Sequence, residues 1–173
     1  VIIPDHDTGS GDEVVYESGL PNGSNPGITD SVTSSFTFDA LDGIDGSGKV
    51  NFNGGNSIDF TETQLQGAST GSPLNVDTDE GTMHITAYSK DAVSGTATII
   101  YTYDLNAAQT HPNADGNNDI TDSIVITVTD RVGDTGANTL DIRIVDDVPT
   151  AAADTNEIDE GTGISFVDGD VLN

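Results

Sequence analysis

The acidic side chains of this chain are concentrated in short segments between strand-like runs, and that arrangement limits how the chain can fold. Thirty Asp and Glu residues stand against four Lys and Arg residues, which gives a formal net charge of −26. Carboxylates crowded into loops repel each other and raise each other's pKa unless a positive charge lies between them. Four basic residues are too few for that purpose. The pattern therefore indicates an oxygen-seeking cation, and flexible loops rich in carboxylates and carbonyls favour Ca²⁺.

Composition excludes several classes of protein. Hydrophobic residues make up only 34% of the chain, but they alternate with polar residues, and this alternation argues against disorder. Cysteine is absent, so disulfides do not brace the fold, and we expect bound metal to stabilise it by mass action. Nucleic acid would be repelled by a polyanion without a basic patch. No apolar run approaches the length of a membrane span, so membrane insertion is not expected.

Alternating apolar and polar residues predict most of the secondary structure. The predicted strands are residues 14–17, 31–38, 49–52, 57–60, 82–88, 96–105, 123–129 and 139–145. In strand 82–88 the pattern predicts that Met83, Ile85 and Ala87 face inward. No segment shows a clear 3.6-residue period. Seven or eight short strands separated by turn residues predict an all-β fold, an antiparallel β-sandwich of immunoglobulin-like or cadherin-like type, with a barrel as the alternative.

The domain organisation follows from where the strand pattern stops. Pro149 cannot continue a β-ladder, so the predicted sandwich covers residues 14–149. Residues 1–13 are expected to be a linker or tail. Residues 150–173 are too few for a core of their own. They are expected to be a linker and the opening strand of a following domain, or a strand that docks on this domain or on a neighbouring chain.

Two acidic loops have the spacing of oxygen ligands. In the first, Asp115, Asn117 and Asp119 alternate along the chain and Asp122 follows, so their side chains could converge from one turn. It is not an EF-hand, because no helix flanks it and no bidentate Glu closes it. The alternative is an acidic hairpin loop in water. The second loop carries Asp39, Asp42 and Asp45 beside two glycines, and its alternative is a mobile Gly/Asp turn. A third and weaker candidate set of ligands consists of Asp77, Asp79 and Glu80.

Two further pairs of acids flank the last predicted strand. Asp130 and Asp134 lie in the turn before it, and Asp146 and Asp147 follow it. Because this strand runs antiparallel to its partner, the two pairs are expected at opposite ends of the sandwich, unless the linker folds back or the first strand intervenes. Whether they bind one ion or serve one end each stays open. The alternative is a pair of solvated termini that keep the domain soluble.

The remaining chemistry gives little indication of catalysis. His6, His84 and His111 are interpreted as unlinked, and His84 is expected to be a solvated or hydrogen-bonded strand residue. A flexible Asp5-His6-Asp7 tail is weak grounds for a transition-metal site. Glycoside hydrolysis needs a carboxylic acid kept protonated in an apolar pocket, and no carboxylate lies within an apolar run. Cysteine is also absent, which excludes a catalytic Cys. The chain is therefore not expected to be an enzyme.

Several passages resemble the tandem bacterial Ig-like repeats in the extender region of RTX adhesins, which are exported by type I secretion. They are VYESGLP at 15–21, SIVITVTDRVGD at 123–134, LDIRIVDDVP at 140–149, AADTNEIDEG at 152–161 and GDVLN at 169–173. The second and third look like the closing hairpin of such a repeat. The last two resemble the start of the next repeat. The segment from about residue 21 to residue 95 carries no motif that matches such a repeat.

The resemblance implies a spacer repeat whose Ca²⁺ ions stiffen a long fibre at the junctions between neighbouring repeats. In such repeats the ions are held by a Glu at the end of the first strand, an Asp in the penultimate-hairpin turn and acids just before the linker proline. These positions correspond here to Glu17, Asp130, Asp134, Asp146 and Asp147. The implied location is secreted, on the bacterial cell surface, with roles in cell adhesion and biofilm formation.

A second hypothesis is a ligand-binding or self-associating module of the same kind of adhesin. The unmatched middle segment is longer than a minimal repeat needs, and the terminal segments could pair two copies into a homodimer. Tyrosines and Gly/Asn-rich loops would also suit a Ca²⁺-assisted site for a surface glycan, although Tyr101 and Tyr103 share the apolar face and are expected in the core.

Overall fold

The computed structural model describes residues 12–112 and 118–148, and this part of the chain folds into two packed β-sheets. The predicted all-β sandwich is confirmed. Its strands are β1 Glu13–Tyr16, β2 Ser31–Asp39, β3 Lys49–Asn53, β4 Ser57–Phe60, β5 Leu74–Asp77, β6 Gly81–Lys90, β7 Thr96–Leu105, β8 Asp119–Thr129 and β9 Thr135–Val145, with a 3₁₀ turn at Glu17–Gly19 and one helix, α1, at Glu62–Gly67. The predicted segment 150–173 and residues 1–11 lie outside the described residues.

Strand order explains how distant parts of the sequence meet. One sheet has the order β1-β9-β8-β3-β4 and the other the order β2-β7-β6-β5. All neighbours are antiparallel except β1 and β9, which run parallel, with Tyr16 opposite Val145. The first strand therefore ends where the last strand ends. We call this end of the sandwich the exit pole. The opposite end, which carries the β8–β9 turn at residues 130–134, is the turn pole.

The core lies between the sheets and is built from the alternating residues of the strands. Phe36 of β2 packs edge-on against Phe52 of β3, with ring centroids 6.2 Å apart. Tyr101 and Tyr103 are buried, as their position on the apolar face predicts. Twenty-four buried hydrophobic residues form one cluster, so the low hydrophobic content still supports a continuous core in the described region.

The predicted inward orientation of Ala87 is wrong. A β-bulge shifts the register of β6 on β7 between Ile85 and Ala87, so that Tyr88, and not Ala87, lies opposite the inward-facing Ile99. The extra residue reverses the parity of the strand beyond it. Tyr88 packs against the core and donates a hydrogen bond of 2.9 Å to the buried Glu62 of α1.

Three other features were not predicted. Strand β8 starts at Asp119, so the predicted loop around Asp119 and Asp122 is partly strand, and β9 starts at Thr135. Strand β5 and helix α1 lie in the middle segment, where the residues show no clear helical or strand period. The helix begins with a capping box: Thr61 accepts a hydrogen bond from the Gln64 backbone while the Gln64 side chain accepts one from the Thr61 backbone. Such a box makes a short helix possible without a long apolar stripe.

Candidate metal centre

The acids named from the sequence are divided between the two poles. Because β1 runs parallel to β9, Glu17 and Asp146 both follow directly after paired residues, Tyr16 and Val145, at the exit pole. Asp130 and Asp134 flank the β8–β9 turn at the turn pole. The question left open by the sequence is thus answered for the described residues: the two pairs lie at opposite ends, and the first strand supplies Glu17 to the Asp146 end.

Glu17, His111 and Asp146 form a compact group at the exit pole. One potential ligand atom from each residue lies within 4.8 Å of the other two, and no other group of three or more His, Asp and Glu side chains within residues 12–112 and 118–148 meets this criterion. The Nε2 atom of His111 is 2.9 Å from Oε1 of Glu17. The interpretation of His111 as unlinked is therefore wrong, because the chain after β7 returns to the end of β1.

The group is largely shielded from water. The Glu17 and His111 side chains are only 3% and 5% exposed. Glu17 is held in place by the Gln109 backbone N–H, which donates a hydrogen bond of 2.6 Å to the same Oε1 atom that faces His111. The Nδ1 atom of His111 is buried and has no hydrogen-bond partner among the described residues. A buried polar atom without a partner is costly and calls for an explanation.

Further carboxylates surround this group. Burial, followed by the negative charges of Asp122 and Asp79, raises the pKa of Glu80, whereas His111 lowers it. Asp122 is buried and accepts a hydrogen bond of 2.7 Å from the Tyr103 hydroxyl. Burial and then the interaction with Asp122 raise the pKa of Tyr103 well above its usual value. The exit pole thus concentrates negative charge at and below the surface, which favours binding of a cation.

Asp147 belongs to the same pole but has a different neighbour. Its carboxylate accepts hydrogen bonds from the Ser24 backbone N–H, at 2.8 Å, and from the Ser24 hydroxyl. A cavity of about 360 Å³ lies between this contact and Glu17. Its wall combines apolar Leu20 and Pro21 with polar Asn22 and Asn106.

The remaining sequence-predicted sites are only partly assembled. Asp119 and Asp122 lie on opposite faces of β8: Asp119 pairs with Arg143 at the surface, while Asp122 faces the core. They therefore do not converge on one ion from a single turn. Asp115 and Asn117 lie outside the described residues.

At the turn pole, hydrogen bonds already occupy part of the acidic set. Oδ1 of the buried Asp130 accepts from the backbone N–H groups of Val132 and Asp134 and thereby closes the turn. Asp39 ends β2 and accepts a hydrogen bond from Thr96. Asp42 and Asp45 are exposed, and Asp45 lies 4.0 Å from Arg131. The structure brings these acids to one pole without gathering them into a compact ligand group.

The four basic side chains do not neutralise the group of Glu17, His111 and Asp146. Lys49 pairs with Asp59, Lys90 with Glu62, Arg131 with Asp45 and Arg143 with Asp119. Each of the four already has one acidic partner, and none of those partners belongs to the group of Glu17, His111 and Asp146. The pairs of Lys49, Arg131 and Arg143 are exposed, and exposed ion pairs contribute little stability. Any neutralisation of the exit pole must therefore come from protons, from His111 or from a bound cation.

The donor atoms at the exit pole fit a divalent metal ion. Carboxylate oxygens of Glu17 and Asp146 are ligands for hard cations such as Ca²⁺, and the imidazole of His111 is a ligand for transition metals. The sequence analysis missed His111, Gln109 and Glu80 as parts of this site. No local signal could reveal the link between Glu17 and His111, because the two residues are 94 positions apart in the chain.

Comparison with known proteins adds no family. No family model matches the sequence, and searches of curated proteins and of solved structures return no match. Within the residues that the structure describes, no helix is long and apolar enough to cross a membrane.

Proposed function

We propose that this chain is a structural, Ca²⁺-rigidified repeat of a large secreted bacterial adhesin that mediates adhesion of cells to surfaces or to each other and the formation of biofilms. The observation that carries the proposal is the position of the acids implied as junction ligands. Glu17 and Asp146 meet where the described chain leaves the sandwich, and Asp130 and Asp134 lie at the opposite pole. Ions at the two poles would stiffen the links to adjacent repeats on both sides.

The charge balance supports the same proposal. At a net charge of −26, self-repulsion opposes the compact state, and the four basic side chains already have acidic partners. No disulfide braces the chain, and a cation bound only by the folded chain would add to the stability that the hydrophobic core provides. Extracellular calcium modules bind with dissociation constants of about 10⁻⁴ to 10⁻³ M. Sites of that strength would fill after export from the cell and would stay empty in a low-calcium cytosol.

The test is a thermal melt of the chelated protein with Ca²⁺ added back stepwise. We expect the melting temperature to rise with a midpoint on the order of 10⁻⁴ M Ca²⁺. The double variant Glu17→Gln/Asp146→Asn should lose part of this response. The matched control is Asp59→Asn/Asp91→Asn, which removes the same charge from two acids outside every candidate ligand set and should keep the full Ca²⁺ response. Identical melts of the wild-type protein before and after chelation would contradict the proposal.

A ligand-binding module of the same adhesin is a second candidate, and the cavity beside Glu17 favours it. The cavity offers amide groups of Asn22 and Asn106 for hydrogen bonds to a polar ligand such as a sugar. A glycan array, together with light scattering for self-association, distinguishes the candidates. A monomer that binds no glycan supports the spacer role alone, whereas saturable glycan binding that Asn106→Ala abolishes supports the ligand-binding role.

A further inference from the structure

We propose that Glu17, His111 and Asp146 together bind one divalent transition-metal ion, of which Zn²⁺ is the representative. This inference goes beyond the Ca²⁺-dependent role, because it follows from the imidazole and not from the number of carboxylates. The transition metal would compete with Ca²⁺ for Glu17 and Asp146, so Ca²⁺ would occupy these two carboxylates only in the absence of such a metal. Ca²⁺ binds six to eight oxygen atoms and does not seek a nitrogen ligand. Zn²⁺, in contrast, commonly binds combinations of His with Asp or Glu.

The separation of the ligand atoms suits a small ion. Ligands lie about 2.0–2.2 Å from Zn²⁺ in a tetrahedral arrangement, so two of them are about 3.3 Å from each other. The His111 Nε2 and Glu17 Oε1 atoms are 2.9 Å apart. One carboxylate oxygen of Asp146 lies within 4.8 Å of a potential ligand atom on each of the other two residues. Shifts of a few tenths of an ångström to about an ångström would bring all three onto one ion. Three protein ligands leave a fourth position for water.

The burial of His111 is the independent observation that points to a ligand. A structural histidine with 5% exposure usually has partners for both ring nitrogens, but Nδ1 has none among the described residues. If Nε2 binds the metal, Nδ1 keeps its hydrogen and the ring is neutral, so no charge is buried on the imidazole. If Nδ1 binds, the partnerless atom gains its ligand and Nε2–H can donate to Glu17. In both cases coordination fixes the tautomer.

The group also has the support that metal sites need. The Gln109 N–H orients Glu17 by its 2.6 Å hydrogen bond, and the Gln109 side chain donates in turn to the Glu80 backbone carbonyl at 3.2 Å. Hydrogen bonds of this kind hold a side chain that binds the metal in the right orientation. The metal would join three segments that meet only in the folded state: the end of β1, the chain after β7 and the exit of β9. It would therefore clamp the long β7–β8 connection to the pole.

The alternative is a simple ion pair between a protonated His111 and Glu17, and metal titration distinguishes the two. We would titrate Zn²⁺ into the chelated full chain by calorimetry, for the wild type and for His111→Asn, His84→Asn and His6→Asn. His84 is the matched control, since it is a half-buried strand histidine that contacts Asn75 and Asp104. The His6→Asn variant controls for Zn²⁺ binding by the acidic N-terminal segment.

We expect one equivalent of Zn²⁺ to bind the wild type, His84→Asn and His6→Asn with equal affinity. His111→Asn should bind at least about 100-fold more weakly, because losing a direct ligand costs more than the 10–100-fold loss typical of an outer-sphere partner. Co²⁺ should give the intense visible absorption of a tetrahedral site in the wild type only when His111 is present. Absence of binding, or equal binding by His111→Asn, would overturn the proposal, as would loss of binding in His6→Asn or His84→Asn.

A second measurement covers the case in which His111→Asn does not fold. In the wild-type chain, Zn²⁺ should shift the imidazole ¹⁵N resonances of His111 and leave those of His84 in place, and a shift of His84 or His6 alone would contradict the site. The Ca²⁺ response separates this proposal from the function above. If the transition-metal site is wrong, the Ca²⁺-induced rise in melting temperature is unaffected. If the calcium role is wrong, Zn²⁺ still binds at His111.

Discussion

At the scale of single residues, the contact between Tyr103 and Asp122 joins the two sheets through a buried charge. The Tyr103 hydroxyl on β7 donates a hydrogen bond of 2.7 Å to Asp122 on β8, and both side chains are buried. A buried carboxylate is tolerated only when hydrogen bonds replace its water. The carboxylate therefore depends on the Tyr103 hydroxyl for part of its stability. Gly81 leaves room for this hydroxyl, since a Cβ at position 81 would clash with the hydroxyl oxygen.

Replacing Tyr103 by Phe tests this contact. We expect the free energy of unfolding at pH 7 to fall by about 1–3 kcal/mol, because Asp122 stays buried and loses its donor. The measurement is urea denaturation of the chelated protein followed by circular dichroism. Tyr101→Phe is the matched control. Its hydroxyl is also buried, but its hydrogen bond is with the neutral Ser34 side chain, so its loss should cost less than that of Tyr103.

The same variant has a predicted pH dependence. Burial raises the pKa of Tyr103 in the folded chain above its unfolded value of about 10. The stability from the neutral phenol is thus complete below pH 10 and is lost as the pH rises above it, by at most about 1.4 kcal/mol per pH unit. The gap in stability between the wild type and Tyr103→Phe should narrow above pH 10. A gap that stays constant from pH 8 to pH 12 would refute the predicted titration.

At the scale of elements, helix α1 covers one edge of the sandwich through a small polar network. The buried Glu62 accepts a hydrogen bond from Tyr88 and lies 3.6 Å from the Lys90 ammonium. Tyr88 can reach Glu62 only because the bulge in β6 turns it inward. The buried Leu65 anchors the helix in the core. Because α1 has only about one and a half turns, the position of this network depends on the capping box at Thr61.

Thr61→Ala should destabilise the chain by about 1 kcal/mol, the usual cost of losing an N-cap side chain. Chemical denaturation with the fluorescence of the tyrosines as readout would measure the change. Thr63→Ala removes the same atoms from an exposed position within the helix and should change stability by less than about 0.5 kcal/mol. Equal effects of the two substitutions would show that the cap does not hold the helix.

At the scale of the whole molecule, the −26 charge and its division between two poles control stability. Parts of that charge are paired within the described residues, but the acids at the exit pole share a small, largely buried volume. Repulsion of this kind acts over the Debye length and weakens with salt. Bound cations remove it locally, whereas a simple salt removes it everywhere by screening. The two effects should therefore be separable.

The chelated protein should melt at a higher temperature in 1 M than in 0.1 M NaCl, because the Debye length falls from about 10 to about 3 Å. For a chain of this size, each kcal/mol gained corresponds to about 2–4 °C. Differential scanning calorimetry is the measurement, and choline chloride controls for specific binding of sodium. With Ca²⁺ in excess, the same increase in salt should raise the melting temperature less. If the melting temperature of the chelated protein does not change with salt concentration, charge self-repulsion is not what destabilises it.

The strands and the sandwich were largely predictable because alternation is a local property of the chain. The prediction for β7 agrees with the structure at both ends, Thr96 and Leu105, and the predicted strands 49–52 and 57–60 correspond to β3 and β4. Local patterns failed where one residue changes the register, as in the β6 bulge, and where a short helix depends on its cap and not on a period. The predicted strand 123–129 also began too late to include Asp122, which faces the core on the same side of β8 as Ile124.

Which acids meet was decided by the pairing of elements that are far apart in sequence. The acidic loops could be read from the chain, because each loop is a continuous stretch. The group of Glu17, His111 and Asp146 exists only because β1 lies parallel beside β9 and the chain after β7 returns to the same pole. Such contacts depend on long-range packing between the sheets, and no nearest-neighbour pattern encodes their distances.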